Sequence, residues 1–155
     1  MEQTRAVDAM DKAIPVLKEF TPGDTLRYEQ AHMIWFILSG YIHANRRDET
    51  FITYGELAEL MGYGRRDRRG LREALALVSL YSLYNKLPPM SVIVVNQDTE
   101  EPGFQGMLRS GYTLADEQKA VFATNWYRFR VPSPGTFRKV AENLTWGDVR
   151  WFSPV

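Results

Sequence analysis

The stretch "FITYGELAELMGYGRRDRRGLREALALV", residues 51–78, joins a helix-start signal, a glycine turn and a longer apolar-periodic run, and its reading decides the fold. "TYGE" has the form of a capping box, in which Thr53 accepts from the backbone N–H of Glu56 while the Glu56 side chain reaches back to the N–H of Thr53. Leu57, Leu60 and Met61 then line one side of a short helix that ends at "GYG". Asp67 is a candidate cap for the next helix, which the spacing predicts from about Arg68 to Lys86 with Leu71, Leu75, Val78 and Tyr81 inward. A short helix, a glycine turn and a longer helix form the pattern of a helix-turn-helix.

Downstream, "LPP" stops the second helix, because proline denies it a hydrogen bond and biases the residue before it toward extended geometry. "MSVIVVN" (90–96) then reads as a buried strand, "QDTEEPG" as a turn and "FQGML" (104–108) as a returning partner strand, which together make a small wing. Upstream, residues 3–19 read as a helix with Ala6, Met10, Ile14 and Leu17 on one stripe and Pro15 as a kink. "TPGD" breaks the chain, and a central core helix starts near Asp24, its proposed N-cap, with Ile34, Ile37, Leu38, Tyr41 and Ile42 on one period until "ANRRDE". After the wing, "TLADEQKAVFATNWYRFRV" predicts a helix from Thr113, "PSPG" a linker, "TFRKVAENL" a last short helix and "TWGDVRWFSPV" an aromatic, irregular tail.

The expected fold class is therefore α+β, mainly helical: a winged helix-turn-helix core with helical additions at both ends. It reads as a single domain over 1–155, with N-terminal helices in 1–48, the winged helix-turn-helix unit in 49–111, and C-terminal helices and the aromatic tail in 112–155. A chain of 155 residues with 45% hydrophobic side chains can bury a core of this size without staples. The absence of cysteine excludes a disulfide framework, a thiolate nucleophile and cysteine-ligated zinc together. The N-terminus lacks the basic head and apolar run of a signal peptide, and "MIWFILSGYI" and "ALALVSLYSLY" fall short of the roughly 20 apolar residues a membrane span needs. These features predict a soluble, cytoplasmic protein with no membrane partner.

Charge is balanced globally, with 19 basic and 19 acidic side chains, so any electrostatic attraction must be local. The arginine run is where it concentrates. Arg65, Arg66, Arg68, Arg69 and Arg72 stand against only Asp67 and Glu73. Cations in the first turn of a helix oppose its dipole, and an external anion would relieve that conflict at an end where free N–H groups already favour phosphate. The opposing reading is a solvated charged turn or a protein interface: Asp98, Glu100 and Glu101 in the wing loop would repel a nucleic-acid backbone, and basic and acidic patches side by side suit a protein partner.

"TYGELAELMGYGRRDRRGLREAL" followed by "LPPMSVIVVNQD" resembles the DNA-binding half of the alkylguanine-DNA alkyltransferases and their alkyltransferase-like relatives. That family runs a "TYG-(D/E)-(I/L)-A" helix into an arginine-bearing recognition helix and then into a strand after a proline-rich turn. The resemblance covers roughly residues 51–107. It implies that Tyr54 lies near the phosphate of a flipped nucleotide and that Arg69 fills the place that nucleotide leaves in the stack. The family's Pro-Cys-His-Arg motif has no counterpart between Pro89 and Val95, and with no cysteine in the chain alkyl transfer is excluded.

No other constellation points to chemistry. His32 and His43 are separated by three helical turns, about 16 Å, too far for one metal ion to bridge. "GYGRRDRRG" lacks the lysine and hydroxyl of a phosphate loop, and "RSGY" lacks the flanking glycines of a nucleophile elbow. Trp35, Phe36, Tyr81 and Tyr84 recur at helical spacing and read as core, whereas Trp126, Tyr127, Phe129, Trp146, Trp151 and Phe152 suit either an interface or a packed-back tail. The sequence thus predicts a non-enzymatic, DNA-binding winged-helix protein without metal or cofactor. Its contacts are Tyr54, Arg65, Arg66, Arg68, Arg69 and Arg72, with candidate wing contacts at Asn96, Gln97 and Asp98. The alternative is a protein-binding regulator or inhibitor, a bacterial or phage accessory factor using the mixed-charge turn and wing, for which a homodimer is one available arrangement.

Overall fold

The structure, a computed structural model, describes residues 26–64, 71–103 and 107–142. The helix read over 3–19, the caps assigned to Asp24 and Asp67, and the tail with Trp146, Trp151 and Phe152 lie outside those residues. The described fold is mainly helical with a small sheet. Helix α1 (Leu26–Asn45) leads to strand β1 (Ile52–Thr53), α2 (Tyr54–Leu60), α3 (Leu71–Tyr84), a 3-10 turn (Met90–Ile93), strand β2 (Val94–Val95), α4 (Leu114–Ala123), a second 3-10 turn (Trp126–Arg128) and α5 (Pro134–Glu142).

Helix α1 buries Ala31, Ile34, Trp35, Leu38 and Ile42, a three- and four-residue spacing that faces α3 and α5. Its far end is tied down by the Tyr41 hydroxyl, which donates to the Phe51 carbonyl at 3.0 Å. Burial first, and the Glu56 carboxylate second, push the Tyr41 phenol above its usual pKa. The more central element is α3: Leu71 and Ala74 through Leu80 are all buried, as are Ser82 and Leu83. Two of its buried residues are serines, each with a partner. The Ser79 hydroxyl donates to Ser91 Oγ at 2.6 Å, and that of Ser82 donates to the Val78 carbonyl.

The capping box expected at Thr53 forms. Thr53 Oγ1 accepts from the Glu56 N–H at 3.1 Å, and the Thr53 N–H donates to Glu56 Oε1 at 3.3 Å. Helix α4 repeats the device with Thr113 and Asp116, and the hydrogen bond from the Thr113 backbone holds the Asp116 carboxyl below its ordinary range. The end of α2 is a Schellman turn: Gly62, at φ 88°, donates to Glu59 and Tyr63 donates to Ala58. Helix α3 ends the same way with Lys86, at φ 61°, in the left-handed position ahead of the two prolines.

Several expectations change. The inward stripe of α2 is Tyr54, Leu57, Ala58 and Met61, and Leu60 is 58% exposed because it lies off that stripe. Phe36 and Tyr84, read as core, are also exposed. "MSVIVVN" is not one strand. Pro89 directs the chain into a 3-10 turn, the Ser91 N–H is taken by Ser79 Oγ, and the Val92 carbonyl accepts from Gln118 Nε2, so side chains of α3 and α4 satisfy backbone groups a ladder would have used. Only Val94 and Val95 are extended, and they pair in parallel with the residues just before α2, Ile52 with Val94 and Thr53 with Val95. The return strand expected over 104–108 lies for the most part outside the described residues; in the expected turn before it, a single antiparallel bridge joins Val95 to Pro102.

The C-terminal third is broken more finely than its periodicity predicts. Helix α4 stops at Ala123, the Trp126 indole N–H donates back to the Val121 carbonyl, and the chain turns through residues 126–128. Pro134 and Gly135, read as linker, open α5 instead. Proline suits a first helical turn, and the Ser133 hydroxyl accepts from the Thr136 N–H. Trp126 is core, edge-on to Trp35 at 5.4 Å, while Tyr127 is 61% exposed. The buried apolar residues of all these elements form one contiguous cluster.

Candidate functional site

The capping box that starts α2 also aims Tyr54, its first residue. The Tyr54 ring is buried in the core cluster, and its hydroxyl accepts from the Gly103 N–H at 3.1 Å, which pins the end of the 96–103 loop to the start of α2. The parallel pairing of β1 with β2 carries Asn96 to the same place. Asn96 closes the loop on itself: its N–H and its side-chain amide both donate to the Glu101 carbonyl, and its own carbonyl accepts from the Glu100 N–H. Arg72, the second residue of α3, completes the group. Tyr54, Arg72, Asn96 and Gly103 line one cavity of about 320 Å³.

This cavity joins elements far apart in sequence: the starts of α2 and α3, the end of β2 and the end of the loop. Its described lining offers a phenol, a guanidinium, a carboxamide and backbone, groups that donate to or accept from a bound ligand. No carboxylate or imidazole of a general acid–base pair stands among them. Among the described residues, no three His, Asp or Glu side chains gather as metal ligands would, and no helix is long and apolar enough to cross a membrane. His32 has a structural contact instead. Its Nδ1–H donates to the Pro132 carbonyl at 2.8 Å, since a carbonyl can only accept.

Of the residues named from sequence, Tyr54, Arg72 and Asn96 come together at the cavity. Arg65, Arg66, Arg68 and Arg69 lie outside the described residues. Gln97 and Asp98 are exposed on the loop and, with Glu100 and Glu101, give it an acidic outer edge. Gly103 was not legible as a site residue, because "EPG" marks only a turn. Its role is steric: a Cβ there would lie 2.5 Å from the Tyr54 hydroxyl and 3.9 Å from Arg72 Nε.

Gly103→Ala is therefore expected to displace Tyr54 and to destabilise the protein by roughly 1–3 kcal/mol, the usual cost of overpacking. In a Tyr54→Phe background, where the oxygen is gone, the same change should cost measurably less. Equilibrium denaturation of the four proteins of that cycle checks the coupling.

No protein-family model matches the chain, and neither a curated protein nor a solved structure does so.

Proposed function

We propose that the protein is a non-catalytic nucleic-acid-binding protein whose α2 and α3 act as the helix-turn-helix pair and whose 94–103 segment acts as the wing. The phosphate-contacting face is the arginine turn and Arg72, with Tyr54 and Asn96 orienting the backbone at the cavity rim. The observation that carries this reading is the meeting of Tyr54 and Arg72 in one cavity at the N-terminal end of α3, the helix that directly follows the run of four arginines. Helix starts and guanidinium groups both attract phosphate, and the start of the second helix is what approaches DNA in helix-turn-helix proteins. The resemblance of residues 51–107 to the alkyltransferase DNA-binding half supports the same assignment.

Fluorescence anisotropy of labelled duplex and single-stranded DNA, at about 50 and about 200 mM salt, tests it, since phosphate contacts weaken steeply over that range. Affinity should fall with salt, and Arg72→Glu should weaken it about tenfold or more while leaving the circular dichroism spectrum unchanged. Absence of binding at the lower salt would overturn the reading.

One observation favours a second reading, a protein-binding regulator. The exposed carboxylates of Asp98, Glu100 and Glu101 stand on the loop that Asn96 closes, where they would repel a second phosphate strand. In that case the Arg72→Glu protein loses a co-purifying partner, or its own dimer by size exclusion, and neither protein binds DNA.

A further inference from the structure

The aromatic run "NWYRFRV" divides on folding. Trp126 enters the core, and the four residues after it, Tyr127, Arg128, Phe129 and Arg130, are all exposed. This segment lies along helix α1, antiparallel to it. At one end the Tyr127 hydroxyl sits 3.7 Å from where a Gly40 Cβ would be, and the Tyr127 ring lies 5.1 Å from that of His43. At the other end the Pro132 carbonyl accepts from His32 Nδ1–H at 2.8 Å. Phe36, one turn from both His32 and Gly40, faces out between those ends at 54% exposure and meets the His32 ring edge-on at 5.0 Å. Phe129 rests against Trp126 at 6.1 Å. Three exposed rings, each backed by a neighbouring ring, thus share one ledge with two cations.

We propose that this ledge binds single-stranded DNA, its bases stacked on Phe36, Tyr127 and Phe129 and its phosphates met by Arg128 and Arg130. Charge and shape select that occupant. Among the described residues neither guanidinium is in an ion pair. No acidic side chain occurs in the sequence between Glu117 and Glu142, so the positive charge of the segment is not compensated within it. A single strand presents what these side chains complement, an anion and a flat π-face at every nucleotide, whereas a duplex keeps its base faces inside. Exposed apolar residues scattered singly need no partner, but rings gathered beside cations mark a binding surface. The ledge shares no residue with the cavity at Tyr54 and Arg72. That the strand is DNA and not RNA rests on the function proposed above; the stacking itself does not.

Fluorescence anisotropy of a labelled oligothymidylate with the full-length protein, at about 50 mM salt, tests the proposal. Tyr127→Ala should weaken binding about fivefold or more, the loss expected for one stacked base, while Tyr127→Phe keeps the affinity and Tyr127→Leu does not. Arg130→Gln should flatten the dependence of log affinity on log salt by about 0.7, the share of one single-strand phosphate contact. Thermal unfolding verifies that the variants fold, and Phe36→Ala is the second stacking variant should Tyr127 prove necessary for folding. The same factor is expected for Tyr127→Ala in an Arg72→Glu background, which separates the ledge from the cavity. Equal affinity of the Tyr127→Ala, Phe36→Ala and natural proteins would overturn the proposal, as would no binding of oligothymidylate. Tighter binding of oligouridylate would overturn the choice of DNA. Loss of a co-purifying protein from Tyr127→Ala, with no binding of either strand, would overturn it in favour of a protein partner.

Discussion

Trp35→Ala is expected to lower the unfolding free energy by about 3–5 kcal/mol, the range for deleting a large aromatic side chain from a core. Trp35 is 1% exposed and meets Tyr81 of α3 edge-on at 5.5 Å and Trp126 at 5.4 Å, so one side chain joins the first helix, the central helix and the C-terminal turn. Tyr81 in turn packs on Phe137 of α5. No neighbouring element can collapse into the space without losing one of these contacts. Trp35→Phe, which keeps a ring in place, should recover part of the loss. Denaturant titration gives the magnitude, and the near-ultraviolet circular dichroism should flatten in the alanine variant.

The second large effect is electrostatic. Glu117 on α4 is fully buried and accepts from three donors of one residue, the Arg109 backbone N–H at 2.9 Å, Nε at 2.9 Å and Nη2 at 2.8 Å. The Arg109 guanidinium also lies 3.9 Å over the Tyr112 ring. Glu117→Ala leaves that cation without its carboxylate in a largely dehydrated site, and breaking such a pair costs about 3–5 kcal/mol. For a chain of this length that corresponds to a melting temperature lower by roughly 6–20 °C. Replacing both partners, as Arg109→Met with Glu117→Leu, should restore most of the stability, because the penalty comes from the uncompensated charge more than from lost attraction. If the double variant is as unstable as Glu117→Ala, packing of the arginine stem outweighs its charge. The exposed pair Arg138–Glu142 is the contrast: open to water, its removal should leave stability nearly unchanged.

Much of this architecture was legible from local signals. The capping box at Thr53, the helix start at Thr113 and the periodic core of α1 and α3 depend on residues within one or two turns, and there sequence and structure agree. What escaped was decided over distance. Nothing in "ADEQKA" distinguishes a buried Glu117 from a solvated one, because its partner enters from the 107–112 segment. A short apolar run such as "MSVIVV" looks the same as a strand or as a buried 3-10 turn, and Ser79 and Gln118, remote in sequence, decided between them. At the candidate site Arg72 could be named from its charge, Asn96 from its place in the expected wing and Tyr54 from the resemblance, but their convergence, and the need for glycine at 103, follow from the parallel pairing of β1 with β2, for which two-residue strands leave no periodic signal.

That pairing also orders the events of folding. Ile52 can meet Val94 only after the chain between them, which includes α2, α3 and the proline turn, has folded back on itself. A two-residue ladder returns little against the entropy of closing that loop, so it depends on the helical core, α1 against α3 above all, to bring its two segments together. Substitutions in the ladder are therefore expected to speed unfolding more than they slow folding.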